Sequence, residues 1–308
     1  MSKQETSFYT QSEYGSADDI VSFYINKHGF PLDDKTWKQM WVYATKIFPK
    51  SKDEIEEIKN VDFLYDVPVP AIPVLLPQMP ISHCLTLVQN YINRLQYNHT
   101  GTQLFEIKKN RPLAGLMDKA KEMIKEALPI KCLEAVILSI YLTNGLLTVE
   151  RFPIGFKSVF NGRCYYHVVL GMFYNGYFGA LGISRRNDLM YKPLEFKTLF
   201  DLIDDYDTAY SRYTHQLVKV RLGGVIPHET HSQEKIHWSV YTVNFTKTHN
   251  AERQHKLDLY SRKLRSYFTS SFKRNTARLP IQLEKEQCMV TSPSTPQSDK
   301  KSPKVVSR

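Results

Sequence analysis

The sequence predicts an α+β fold, in which a helical N-terminal domain precedes a domain built from one central helix packed on a small antiparallel sheet. Apolar residues of the first 126 positions recur at helical spacing, as at Leu116, Ala120 and Met123. Residues 129–141 are almost uninterruptedly apolar, as expected of a core helix. Residues 165–184 have the pattern of two strands joined by the preferred two-residue turn, Asn-Gly. A chain of 308 residues with 42% hydrophobic residues is long enough to bury such a core.

Composition divides the chain into five parts. We expect a disordered polar N-terminus over 1–17 and a helical, partner-binding domain over 18–126. The sheet domain follows over 127–250, then a basic amphipathic C-terminal helix over 251–290. Residues 291–308 form a Ser/Pro/Lys tail that cannot build a core.

The net charge of +10 is concentrated at the C-terminal end. Residues 246–308 carry 14 Lys and Arg against 5 Asp and Glu, whereas the first 245 residues carry 27 against 26. This distribution favours a segment that tethers the protein to a polyanionic surface, such as an acidic membrane, over a basic nucleic-acid-binding domain. A tail that only keeps the protein soluble is the alternative.

The remaining composition predicts a cytosolic protein with free thiols. No apolar stretch approaches the ~20 residues that span a bilayer, and the polar N-terminus lacks the apolar region of a secretion signal. The four cysteines form no Cys-x-x-Cys pair, so we expect neither a metal site nor a cofactor.

Cys132 is the first candidate catalytic residue. Pro129 suits the first turn of a helix and Asn144-Gly145 its end, which places Cys132 in the first turn. There the helix dipole and the neighbouring ammonium of Lys131 favour thiolate over thiol. A buried structural cysteine is the alternative.

His167 is the candidate base. If Asn175-Gly176 forms a tight turn, Tyr174 pairs with Tyr177 and His167 lies opposite Ser184 on the same face. A serine hydroxyl there orients the imidazole for a thiol. A helix N-terminal Cys followed by a strand His is the chain order of papain-like and transglutaminase-like sites. A half-buried structural histidine is the alternative.

Three long stretches of the chain resemble the vasohibins. They are residues 91–144, which include Cys132, residues 150–160, and residues 177–193, which include Ser184; a weaker likeness runs from about 20 to 250. The resemblance implies a transglutaminase-like cysteine peptidase, a tubulin tyrosine carboxypeptidase that removes the C-terminal tyrosine of α-tubulin through an acyl-enzyme. It assigns the Cys-His-Ser triad to Cys132, His167 and Ser184. Tyr166 departs from the family, in which a basic residue precedes the histidine.

A carboxypeptidase must bind a terminal carboxylate beside its nucleophile, a task suited to a guanidinium and a second cation. Arg185 follows the triad serine and Lys131 precedes the nucleophile. The resemblance assigns both to this task, with Tyr97 closing the pocket. Four further cations are candidates for a groove that receives the Glu-rich α-tubulin tail, with solvated surface charge as the alternative: Lys108, Lys109, Arg111 and Lys157.

Trp37, Met40 and Trp41 form an apolar stripe at helical spacing in the N-terminal part. Such a stripe is a core face or a groove that accepts another helix. The resemblance implies a single-helix partner, the small vasohibin-binding protein, and we interpret the stripe as its contact.

Two rival functions remain at this point. One is a secreted, non-catalytic regulator of the kind proposed for vessel growth, which would require unconventional secretion. The other is a microtubule-binding scaffold that acts only through its basic C-terminal helix.

Overall fold

The computed structural model describes residues 24–25, 33–61 and 69–276, with side chains over 33–61 and 69–267. The predicted disordered segments 1–17 and 291–308, and residues 277–290 of the predicted C-terminal helix, lie outside the described residues. Helices and strands occur together, which confirms the α+β class. The described residues up to Leu264 belong to one compact unit and those from Arg265 onward to a second. The predicted domain boundary at residue 126 stays a prediction.

Seven helices and eight strands are present in the described part of the chain. The helices are α1 Asp34–Ile47, α2 Lys52–Lys59, α3 Ile81–Arg94, α4 Leu113–Glu126, α5 Cys132–Leu142, α6 Leu199–Arg212 and α7 Asn250–Thr276. The strands are β1 Tyr24–Ile25, β2 Thr102–Gln103, β3 Glu150–Phe160, β4 Arg163–Tyr174, β5 Tyr177–Leu181, β6 Lys192–Phe196, β7 Gln216–Leu222 and β8 Tyr241–Asn244. A short 3-10 turn covers Asn187–Leu189.

Six strands form one sheet in the order β6-β5-β4-β3-β7-β8, and every neighbouring pair in it is antiparallel. The turn between β4 and β5 is Asn175-Gly176, with φ of 46° and 85°. Both values lie in the left-handed region that a type I′ turn requires, and Asn and Gly tolerate it best. Tyr174 pairs with Tyr177, so the predicted hairpin register is confirmed.

Helices α3, α4 and α5 share a hydrophobic core with one face of the sheet. The side chains of Val168, Leu170 and Met172 on β4 belong to this core. Seven of the eleven α5 residues are fully buried, so α5 is the central helix that the sequence predicts. Its apolar character on all sides therefore reflects contacts on all sides.

Arg151 holds the C-terminal end of α5. This side chain is fully buried, and its guanidinium donates to the carbonyl of Ile140 at 2.7 Å, to Asn144 Oδ1 at 2.9 Å and to the carbonyl of Pro227 at 2.6 Å. Burial lowers the pKa of Arg151 to about 9. The charged side chain satisfies helix-end carbonyls that would otherwise be buried without donors.

Helix α6 packs on the opposite face of the sheet. Phe156 and His167 are cross-strand partners on β3 and β4, so their side chains lie on one face. Tyr206 of α6 contacts Phe156 there, with ring centroids 4.7 Å apart. His167 consequently lies on the side of the sheet that α6 covers.

No helix in the described part of the chain combines the length and the apolar character needed to cross a membrane.

Candidate active site

Cys132 is the first residue of α5 and so lies in the first turn, as the sequence predicts, although α5 begins three residues after Pro129. Lys131 is the N-cap residue, and its backbone N–H donates to the carboxylate of Glu134, three residues later. Glu134 also accepts from the backbone N–H of Phe105 at 3.4 Å. The carboxylate therefore ties the first turn of α5 to the segment that leads to Lys108 and Lys109.

The pKa of the Cys132 thiol is raised by burial. The backbone N–H of Val168, the ammonium of Lys109 and the N–H of Leu133 act in the opposite direction, and Glu134 adds to the rise. Desolvation outweighs the groups that favour the thiolate, so the expected resting thiolate is not found. The thiol needs a base to lose its proton.

His167 directly precedes Val168, whose backbone N–H hydrogen-bonds the Cys132 sulfur. Its Nε2 lies 2.6 Å from the carbonyl oxygen of Leu189. A carbonyl only accepts hydrogen bonds, so Nε2 carries the proton and Nδ1 has the free lone pair of the neutral ring. Burial lowers the pKa of His167 to about 4, although the Leu189 carbonyl acts to raise it. The resting imidazole is neutral and able to accept a proton.

The predicted contact between His167 and Ser184 differs from the observed one. The ladder between β4 and β5 ends at Leu170 and Leu181, and the chain then leaves the sheet for the 3-10 turn. Ser184 Oγ accepts from the backbone N–H of Arg186 at 3.3 Å, and the acceptor for His167 is the Leu189 carbonyl. The cross-strand extrapolation is wrong because β5 ends before Ser184. A catalytic role for Ser184 stays a prediction.

Tyr97, Lys131 and Arg185 form a polar corner around the nucleophile. The Arg185 guanidinium lies 5.6 Å from the centre of the Tyr97 ring. Burial raises the pKa of Tyr97 to about 12, with Cys132 adding to the rise and Arg185 opposing it. Burial lowers the pKa of Lys131, while Glu134 and Cys132 raise it. These effects place Tyr97 and Lys131 close to Cys132, and Arg185 close to Tyr97 and Lys131.

Backbone hydrogen bonds fix Tyr97 against the start of α5. The N–H of Asn98 donates to the carbonyl of Ile130 at 2.8 Å, and the N–H of Ile130 donates to the carbonyl of Gln96 at 3.1 Å. The segment of Tyr97 thus runs alongside the residues that precede Cys132.

The four groove cations do not share one environment. Lys109 is half-buried with its ammonium 5.3 Å from the centre of the Trp238 ring, and burial lowers its pKa to about 7. Lys108 is exposed and forms an ion pair with Glu106 at 3.8 Å. The ammonium of Lys109 acts to lower the pKa of the Cys132 thiol, whereas no such effect of Lys108 is seen among the described residues.

The other two cations lie on separate elements. Lys157 of β3 lies over the Tyr166 ring at 5.6 Å, beside His167 on β4. Arg111 is half-buried on the turn after Lys109, and its N–H donates to the carbonyl of Lys108 at 3.0 Å.

Sequence reasoning missed Glu134, Trp238 and the Leu189 carbonyl. Glu134 stands three residues after the N-cap, a capping-box position that a search for helix starts would have found. Trp238 donates its indole N–H to the carbonyl of Lys109 at 3.2 Å, from 129 positions along the chain. A backbone carbonyl leaves no trace in a sequence, and neither does a contact this distant.

The predicted partner-binding stripe lies on α1. Trp37 and Trp41 contact each other edge to face, with ring centroids 5.6 Å apart. Met40 packs against the main core, whereas 44% of Trp37 is exposed. The stripe thus serves both the core and the surface.

Comparison with known proteins agrees with the sequence resemblance. The sequence model of the vasohibin family matches residues 21–265. A mouse (Mus musculus) protein named Tubulinyl-Tyr carboxypeptidase 1 is 49% identical over 255 residues, which cover 83% of this chain and 68% of the relative. With both matches spanning most of its length, the chain belongs to the vasohibin family.

Proposed function

We propose that this chain is a cysteine-type carboxypeptidase that removes the C-terminal tyrosine of α-tubulin. The observation that supports the proposal is a buried thiol, Cys132, at the start of α5, with Lys131 and Tyr97 close to it and Arg185 close to Tyr97. His167, one residue before the Val168 N–H that hydrogen-bonds this sulfur, is the proposed base. Such a site cleaves next to a free carboxylate. The name of the mouse relative supports tubulinyl-tyrosine as the substrate.

The chemistry begins with a neutral pair. The Cys132 thiol transfers its proton to Nδ1 of His167, and the sulfur attacks the carbonyl carbon of the bond before the terminal tyrosine. The N–H groups at the start of α5 and its dipole stabilise the resulting oxyanion. Nδ1 then returns the proton to the amine of tyrosine, which leaves. Water, deprotonated by the same imidazole, hydrolyses the thioester.

The Leu189 carbonyl supports the proton transfers in this scheme. When His167 takes up the thiol proton, its Nε2–H becomes more acidic and its hydrogen bond to Leu189 strengthens. The carbonyl thereby performs the orienting role that a carboxylate or amide side chain has in related sites. Ser184 is proposed as a further polar group of the site.

Recognition of the carboxylate falls to Arg185, with Lys131 as the second cation and Tyr97 as the wall. A guanidinium matches the two oxygens of a carboxylate with parallel N–H donors. The acidic tail upstream is proposed to lie along Lys108, Lys109, Arg111 and Lys157.

A single-helix partner, the small vasohibin-binding protein, is proposed to bind at α1 through Trp37, Met40 and Trp41. The support is the exposed apolar surface there, where Val42, Ile47 and Phe48 add to Trp37. Large exposed apolar patches mark protein interfaces. Copurification of the tagged partner with Trp37→Ala and with a surface control, Lys59→Ala, tests this site. Equal recovery of the partner by both variants would contradict it.

The basic C-terminal helix is proposed to hold the enzyme to microtubules in the cytoplasm, with an acidic membrane surface as the second polyanion. Its basic residues include Lys256, Arg262, Lys263, Arg265, Lys273 and Arg274. Cosedimentation with microtubules and with vesicles containing anionic lipid, before and after removal of residues 265–308, separates these surfaces. Unchanged binding of the shortened chain to both would refute the proposed tether.

The decisive experiment incubates the chain and its partner with tubulin and measures the mass of the α-tubulin tail. We expect loss of one tyrosine with the wild type and none with Cys132→Ala. The exposed Cys164 offers the matched control, because Cys164→Ala removes a thiol away from the site. Tyrosine release by Cys132→Ala at the wild-type rate would end the enzyme proposal.

A further inference from the structure

Residues 184–190 carry most of the groups that the proposed chemistry needs outside α5 and β4. They include Ser184, Arg185 and the Leu189 carbonyl that accepts from His167. The segment follows β5, and Arg185, Arg186 and Asn187 are exposed. Exposed loops move more than the elements that they connect. A carbonyl that orients a base therefore needs support from the body of the protein.

Tyr206 supplies this support at one end of the segment. Its hydroxyl donates to the carbonyl of Met190 at 2.6 Å, one residue after Leu189. The Tyr206 side chain is fully buried against Phe156, and the Phe156 ring stacks on His167 with centroids 6.1 Å apart. Tyr206 thus contacts both the Met190 carbonyl, next to Leu189, and the Phe156 ring that stacks on His167.

Tyr213 holds the other end. It is the C-cap residue directly after α6 and follows Tyr206 by seven residues. Its hydroxyl donates to Asp188 Oδ1 at 2.8 Å, and its ring lies 4.6 Å from the Arg186 guanidinium. Arg212 adds an ion pair to Asp188 at 3.7 Å. Contacts to α6 at 186, 188 and 190 therefore enclose Leu189.

We propose that Tyr206 and Tyr213 are positioning residues, which hold the segment 184–190 on α6 so that the Leu189 carbonyl fixes the tautomer of His167. This inference rests on the proposed Cys132–His167 pair. Neither tyrosine takes part in bond making. Each acts through residues of the segment. Tyr206 acts through Met190, which follows Leu189. Tyr213 acts through Arg186, which follows Arg185, and through Asp188, which precedes Leu189.

The expected effects of the two tyrosines differ. Without the Tyr206 hydroxyl the Leu189 carbonyl is held less firmly, and the imidazolium form of His167 loses part of its stabilisation. Proton transfer from Cys132 then becomes less favourable, so kcat falls while KM is unchanged. Without the Tyr213 hydroxyl, Asp188 loses a hydrogen bond that holds the segment carrying Arg185, so KM rises instead.

The test is the rate of alkylation of Cys132 by iodoacetamide against pH, on the full chain with its partner. Peptide mapping separates Cys132 from the exposed Cys164. For Tyr206→Phe, loss of one hydrogen bond predicts alkylation at neutral pH that is about fivefold slower, with the profile moved to higher pH, and a similar fall in kcat. A profile that superimposes on the wild type would overturn the role of Tyr206.

Tyr260→Phe is the matched control. The Tyr260 hydroxyl is buried and donates to the carbonyl of Gly223, so the variant loses an equivalent hydrogen bond elsewhere in the sheet domain. We expect it to lower the melting temperature without changing the alkylation profile. An equal shift in Tyr206→Phe and Tyr260→Phe would show a general loss of stability and refute positioning.

Two further variants keep the outcomes separable. Tyr213 is only half-buried, so Tyr213→Phe preserves the fold even if Tyr206→Phe does not. An unchanged KM in Tyr213→Phe refutes the positioning role of the hydrogen bond from Tyr213 to Asp188. Cys132→Ala tests the proposed function by itself. If Cys132→Ala is inactive while Tyr206→Phe and Tyr213→Phe match the wild type, the positioning role is wrong and the enzyme proposal stands.

Discussion

The ionisation of Glu134 makes the free energy of unfolding depend on pH, and the substitution Glu134→Gln removes this dependence. Its carboxyl group is fully buried, and burial raises its pKa from 4.5 to about 7, against the lowering effects of the Lys131 and Phe105 N–H groups. The folded-state pKa is thus above the unfolded one. The contribution of this group to stability is therefore fully present below pH 4.5, falls as pH rises, and is lost above about 7.

The size of the effect follows from the shift. At about 1.4 kcal/mol per pKa unit, the shift corresponds to roughly 3 kcal/mol in total, of which about 2.4 kcal/mol falls between about pH 5 and about pH 7.5. Glu134→Gln cannot ionise and keeps the size of the side chain. The difference in unfolding free energy between Glu134→Gln and the wild type should therefore change by this amount, in favour of the variant as pH rises.

Urea unfolding of both proteins at the two pH values measures this difference, and groups that titrate in both proteins cancel. Gln donates where the carboxylate only accepted, so we also expect slower tyrosine release from a displaced first turn of α5. Glu106→Gln is the control, because Glu106 lies nearby on the surface in an ion pair with Lys108. If the difference in unfolding free energy is the same at both pH values, Glu134 is not a buried acid with a raised pKa.

Three further predictions concern the substrate. Arg185→Ala should lower kcat/KM for a free-acid tail peptide by about one to two orders of magnitude, with partial recovery in Arg185→Lys, because the guanidinium fork is lost. Equal cleavage of the acid and its C-terminal amide by the wild type would contradict a carboxylate anchor. Lys109 loses its proton near pH 7 in the free enzyme, so the kcat/KM of the wild type should fall above this pH. In Lys109→Arg, kcat/KM should persist to higher pH. If kcat/KM falls at the same alkaline pH in both proteins, this role of Lys109 is refuted. Lys108→Ala should raise KM only slightly, and less at high salt, since an exposed charge is screened; a large effect that is independent of salt would place Lys108 inside the site.

Local features of the sequence were sufficient to predict the elements that carry the nucleophile and the base. Pro129, the apolar run and Asn144-Gly145 bound a helix whose first residue is Cys132. Asn175-Gly176 sets the register of the β4–β5 hairpin, because a type I′ turn fixes which residues pair. These features depend on residues that are close in sequence, so the apolar periodicity and the turn residues are sufficient to predict them.

The tertiary structure alone decided how the site is tuned. The end of β5 at Leu181 brings a backbone carbonyl, rather than Ser184, to His167. Burial keeps the resting thiol protonated, and it makes Lys109 rather than Lys108 the cation that acts on the thiol. Burial of charged groups and hydrogen bonds to backbone carbonyls depend on contacts between segments that are distant in sequence. Examples are the bond from Trp238 to the Lys109 carbonyl and the bond from Tyr206 to the Met190 carbonyl. The sequence by itself therefore predicted which groups are candidates for the chemistry, and the packing of remote segments determined their protonation and their partners.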